Sequence, residues 1–181
     1  MAEFFKELND ELMDFIKDQK IFFTATAPKT GRINLSPKGM DSFRCVDLNT
    51  VAYLDLTGSG NETAAHIFDD GRLTLMFCSF SRKPLILRLS GKGRVVLPRH
   101  EDWANWHSHF NSMVGERQII VLNIDMVQSA CGYGVPVYDF VEERDLLTKW
   151  TEKRGEQGLK DYWLEHGQKS LDGLDTHLLE D

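Results

Sequence analysis

Between Ile21 and Ser129 the chain returns again and again to short runs of aliphatic, aromatic and β-branched residues. Most of these runs are cut off by Gly, Pro, Asn or Asp, and no other feature constrains the fold as much. Ile21–Ala27 and Arg32–Leu35 flank the turn residues Pro28-Lys29-Thr30-Gly31 and read as a hairpin. Further strands are expected at Ser42–Val46, Val51–Leu56, Leu73–Phe80, Leu85–Leu97 and Gln118–Ser129. Six or seven strands with few helices between them mean mostly antiparallel β. They favour a closed or nearly closed barrel over a doubly wound parallel sheet.

Helices belong at the periphery. Phe4, Phe5, Leu8, Leu12, Phe15 and Ile16 recur at three- and four-residue spacing, which predicts an amphipathic helix over about 3–17. Short helices are expected at Glu62–Asp69 and Glu101–Met113, the latter anchored by Trp103, Trp106 and Phe110, and a helical extension begins near Asp139. A chain of 181 residues, 41% hydrophobic, closes one core and is short for two enzymatic domains, so 1–181 is expected to be one domain.

No apolar run approaches the roughly 20 residues of a membrane-spanning helix, and the first residues lack a basic region and a cleavage site. Three cysteines (Cys45, Cys78, Cys131) without C-x-x-C spacing form neither a disulfide framework nor a zinc ribbon. A cytoplasmic protein away from the membrane is expected. The net charge of −7 is concentrated in 139–181, with 12 acids against 6 bases, whereas 29–99 has 11 bases against 6 acids. A locally basic middle in an acidic chain suits a small anionic ligand better than a nucleic-acid track.

Four segments can carry chemistry. In Leu56-Thr57-Gly58-Ser59-Gly60-Asn61-Glu62-Thr63 a strand runs through small, hydroxylated and amide residues into a helix, whose free N–H groups suit a phosphate. The same residues make an ordinary capped helix with Ser59 or Asn61 as N-cap, and neither a Walker A nor a dinucleotide fingerprint is present. Ser36-Pro37-Lys38-Gly39 places a hydroxyl and an ammonium at a strand end, where a solvated turn is the plain alternative. Arg88, Ser90, Lys92 and Arg94 share one face of a strand, which is either a ligand wall or wet. Gly132 and Tyr133 lie in a glycine-rich loop able to approach a flat ligand or simply to connect two elements. His100, His107 and His109 lack metal-ligand spacing.

Gly31–Gly39, Thr50–Thr63, Gly71–Cys78 and Arg88–Val96, in this order and spacing, resemble the pyridoxamine 5′-phosphate oxidase-related family of FMN-binding proteins. The resemblance covers about 20–138. It implies a six-stranded antiparallel split β-barrel, a homodimer, and FMN bound at the dimer interface. It also implies that Lys38, Ser59, Asn61, Thr63 and Arg88 hold the phosphate and that Ser36 belongs to the cofactor site, with Gly132 and Tyr133 reaching the isoalloxazine from the partner. The vitamin B6 oxidases carry an R-x-V-L-L-K strand, a basic S-R-K turn and an Arg- and Pro-containing tail. This chain has Asn34-Leu35-Ser36-Pro37-Lys38, Asn61-Glu62-Thr63 and a tail ending Leu178-Leu179-Glu180-Asp181, so pyridoxamine phosphate oxidation is not expected. The expected activity is an FMN-dependent oxidoreductase on an unidentified small molecule. The alternatives are a flavin carrier or sensor without turnover, and a split barrel that binds haem or a deazaflavin.

Overall fold

The computed structural model describes residues 2–180. Eight strands form one curled antiparallel sheet: β1 (Glu3–Phe5), β2 (Phe22–Thr26), β3 (Asn34–Lys38), β4 (Phe43–Cys45), β5 (Thr50–Leu56), β6 (Arg72–Cys78), β7 (Ile86–Val96) and β8 (Glu116–Ala130). Four helices accompany them: α1 (Asp10–Asp18), α2 (Glu62–Asp69), α3 (Trp103–His107) and α4 (Leu146–His166). The hydrogen-bonded order is β3-β2-β6-β7-β8-β5-β4, and β1 pairs with β8 beyond the end of β5. This is the expected split barrel, with seven strands along its path instead of six.

The split lies between the edge strands β3 and β4, which are not paired with each other. Side chains fill the gap. Phe22, Phe43, Tyr53 and Phe77 pack with ring centroids 5.0–5.6 Å apart, and the Ser42 hydroxyl donates to the Gly39 carbonyl at 2.8 Å. Strand alternation puts Phe22, Leu75, Leu87, Leu89, Ile120 and Leu122 in the main core, while Ile119, Val121 and Val96 face a second cluster that receives Trp103, Trp106 and Phe110.

The strands follow the sequence reading to within two or three residues, and the helices depart from it more. The N-terminal helix expected over about 3–17 begins only at Asp10, where the Asn9 side chain accepts from the Leu12 N–H at 2.9 Å. Phe4 and Phe5 pair with Gln128 and Val127 instead, and the Leu8 N–H donates to the Leu48 carbonyl. The helix expected over 101–113 is one turn, because the chain bends after His107 and inserts Phe110 into the second cluster. The helical extension starts at Leu146 rather than Asp139 and kinks at Gly155, whose φ is 66°. Ser36-Pro37-Lys38, read as a turn, continues β3. Proline is tolerated there because an edge strand does not need every N–H.

One glycine fixes the sheet's curvature. The β7–β8 register shifts between Ser90 and Gly91, and a Cβ on Gly91 would collide with the Asn123 backbone carbonyl. Gly91→Ala is therefore expected to lower stability by about 2 kcal/mol or more, measured as a reduced thermal midpoint; an unchanged midpoint would show that the bulge is not tightly packed.

Candidate functional site

The inward-facing residues of β3 are Asn34, Ser36 and Lys38, because Leu35 and Pro37 alternate to the outside. Opposite them stand Asp55 near the end of β5, the loop 57–61, the first turn of α2, and Arg117 at the start of β8. Together with residues 165, 166 and 169–171 these elements enclose a cavity of about 630 Å³, within the range of small-molecule sites.

Asp55 organises this region. Its Oδ1 accepts from Lys38 Nζ at 2.7 Å, and its Oδ2 accepts from Arg117 Nε and Gln118 Nε2, each at 2.8 Å. Burial pushes the carboxyl up. Arg117 and Lys38, with the Gln118 hydrogen bond, outweigh that effect and hold it well below the usual carboxylate range. Gln118 Nε2 also donates to Asn61 Oδ1 at 2.6 Å, and Arg117 Nη2 donates to the Gly60 carbonyl at 2.9 Å, so the loop is tied to β8.

Two consequences follow for an anion. Asn61 occupies the N-cap position of α2, but its side chain makes no capping hydrogen bond, so the helix keeps an uncapped N-terminus beside the cavity. Arg117 is only 4% exposed and lines the cavity, and its Nη1 is buried without a partner. An unpaired guanidinium nitrogen in a buried site is costly unless a ligand satisfies it. Two cations share one carboxylate here, which leaves one positive charge. The donors fit a phosphate.

A hydrogen-bonded chain stiffens the β3 side. Asn34 Nδ2 donates to Thr63 Oγ1 at 3.1 Å and Thr26 Oγ1 at 3.3 Å, Ser36 Oγ donates to Asn34 Oδ1 at 2.9 Å, and Thr26 Oγ1 lies 3.0 Å from His66 Nδ1.

Five of the residues singled out from the sequence, Ser36, Lys38, Ser59, Asn61 and Thr63, line this one cavity. Arg88, Gly132 and Tyr133 do not. Arg88 lies between the buried Leu87 and Leu89 and therefore faces outward, paired with Met76 and Gln128 across the sheet. Gly132 packs against Leu85 after β8, and Tyr133 is 81% exposed. Sequence reasoning missed Asn34, Asp55, Arg117 and Gln118. A single acid inside Tyr53-Leu54-Asp55-Leu56, and an Arg-Gln pair leading into Ile119-Ile120-Val121, were the available signals of a buried ion pair.

An antiparallel split barrel with a cavity at the start of α2 is the class defined by fold and site. A family model described as pyridoxamine 5′-phosphate oxidase matches residues 8–131. The pyridoxamine 5′-phosphate oxidase family protein ustO of Aspergillus flavus is 39% identical over 194 residues, which covers 96% of this chain and 77% of that protein. The chain belongs to the pyridoxamine 5′-phosphate oxidase family. Among solved structures, HupZ of Group A Streptococcus superposes with a TM-score of 0.52 at 22% identity, covering 66% of this chain and 91% of that one. The FAD binding protein of Mycobacterium smegmatis gives 0.50 at 12% identity, covering 70% and 97%.

Replacing Asp55 by Asn strands two cations, one of them fully buried, and is expected to cost about 3 kcal/mol or more, read as a lower urea midpoint. Because the folded-state carboxyl titrates low, its contribution is complete at neutral pH and is lost as pH falls below about 4, through the depressed folded value. The stability gap between parent and variant is expected to be constant from pH 5 to 8 and to narrow in acid, about 4 and below; a gap that widens in acid would contradict the assignment.

Proposed function

We propose that the protein binds FMN, with the phosphate held by Arg117 and the first turn of α2, and that it is a flavin-dependent oxidoreductase acting on a small molecule. The observation that carries this reading is the buried, unpartnered Nη1 of Arg117, a residue that lines the cavity beside an uncapped helix N-terminus. Family membership and the description of a fold relative as an FAD binding protein support a flavin. A bound flavin supplies hydride or electron transfer, and the protein's part is to bind, orient and exclude water.

The residues divide that work. Arg117 Nη1, the Ser59 hydroxyl and the α2 amide groups donate to the anion. Thr63 and Ser36 are positioned by Asn34, Asn61 is held by Gln118, and Lys38 is oriented by Asp55. Titration is expected to show saturable FMN binding. Arg117→Lys, which keeps a charge for Asp55 but removes the spare donor, is expected to weaken it about tenfold or more. No saturable FMN binding by the parent protein would overturn the reading, and a haem or deazaflavin spectrum on purification would replace it. Bleaching of bound FMN by a reductant and reoxidation by oxygen is the expected sign of turnover; flavin that stays oxidised with every donor would make the protein a carrier or sensor.

The proposed assembly is a homodimer through the outer face of the sheet. There Pro37, Phe23, Met76, Arg88, Gln128 and Phe4 form one cross-strand row, and Leu35, Ala25, Thr74, Ser90 and Met126 form the next. Leu35 and Phe4 are 65% and 63% exposed, and Arg88 makes no ion pair among the described residues. A face that exposes Phe4, Leu35 and Met126 in a small barrel fits a second copy, which would bring Arg88, Gly132 and Tyr133 to the partner's cavity. Sedimentation is expected to give a dimer that Leu35→Asp dissociates; a monomeric parent would contradict it. The cytoplasm, supported by the odd cysteine count, is the proposed compartment. Among the described residues no helix is long and apolar enough to cross a membrane.

A further inference from the structure

The cavity has one wall built from the far end of the chain. After α4 ends at His166, residues 167–180 run back over the barrel as a strap fastened at several points. The Leu171 N–H donates to both Glu62 carboxylate oxygens, at 3.0 and 3.2 Å. Asp172 accepts from the Arg32 N–H at 2.6 Å and pairs with the Arg32 guanidinium. Arg99 donates to the His177 and Leu178 carbonyls, and Leu178, 4% exposed, enters the main core.

Glu62 opens α2, where an unpaired carboxylate would oppose an anionic ligand. Its two oxygens instead receive the strap's backbone, which places Lys169 and Ser170 on the cavity wall. The loop and first turn, Thr57 to Thr63, contain no Lys or Arg. The barrel itself contributes Lys38 and Arg117, and Asp55 offsets one of them. Glu62 also lines the cavity, so these residues offer no net positive charge to a phosphate monoester, which carries about −1.5 to −2 charges at neutral pH. The remaining Lys or Arg among the residues lining the cavity is Lys169. Its ammonium has one partner, Asp175 at 3.0 Å, and an ammonium has three donors. Ser170 Oγ accepts from the Leu174 N–H, which leaves its hydroxyl proton available. Glu165, the acid on this wall, lies 3.4 Å from His166.

We propose that the strap is part of the ligand site, with Lys169 as the second cation that recognises the ligand's phosphate and Ser170 as its neighbouring donor. The strap thus supplies from the C-terminal side the charge that the strand-to-helix turn lacks. This inference rests on the phosphate reading of the cavity given above.

The test compares FMN with riboflavin, which lacks the phosphate, in binding titrations of the full chain. The parent is expected to prefer FMN. Lys169→Met is expected to weaken FMN about tenfold, leave riboflavin unchanged, and reduce the salt dependence of FMN binding. Lys169→Arg is expected to restore most of the loss. Because the Lys169 side chain is mostly exposed, an unchanged melting temperature is expected to accompany the Met variant. If the parent prefers FMN and Lys169→Met binds it equally well, the strap is only packing and the proposal falls, while the cavity reading survives. If the parent does not distinguish FMN from riboflavin, both fall.

Discussion

One buried carboxylate, Asp55, joins parts of the chain that the backbone leaves separate. The sheet ends at β3 on one side and β4 on the other, and no backbone ladder closes it. Asp55 on β5 reaches Lys38 on β3 across that split and Arg117 on β8 beside it, so the two flanks are tied where the cavity opens. Such a buried cluster is weak evidence for net stability, since desolvating the charges offsets much of their attraction. What it contributes is placement. With Arg117 Nε on Asp55 and Nη2 on the Gly60 carbonyl, the guanidinium is held in one position beside the cavity that Arg117 lines, and its third nitrogen is buried without a partner.

The long strand β8 makes that placement possible. It pairs with β7 from Ile119 to Ala130 while its other edge is shared by β5 and then β1; Gln118 is paired with Asp55 on β5, and Arg117 sits at the register shift beside Leu56. From this rigid base Gln118 fixes Asn61, and Asn61 is drawn away from capping α2. An uncapped helix and an unpaired arginine are each unfavourable alone. In the proposed site an anion would offset both costs.

The strands were legible because alternation and turn residues act locally. The strand-to-helix passage into α2 was legible for the same reason, although its small and hydroxylated residues suit a plain capped helix as well as a ligand loop. The N-terminus misled because Phe4, Phe5, Leu8 and Leu12 satisfy helical spacing while Phe4 and Phe5 are used by a distant strand, a choice made by the tertiary partner. Arg88 was correctly placed on one strand face with Ser90, but which face points inward depends on register with β6 and β8. Asp55 and Arg117 are 62 residues apart, and Glu62 meets Leu171 across 109. No local pattern announces such meetings. A lone acid in an apolar strand signals only that some cation must find it.

The most direct test of the account is a crystal structure of the protein grown with FMN. The account predicts the phosphate within hydrogen-bond distance of Arg117 Nη1 and the amide groups opening α2, with the Asp55 ion pairs unchanged. A phosphate bound elsewhere, with Arg117 Nη1 satisfied by water or by the protein itself, would contradict it.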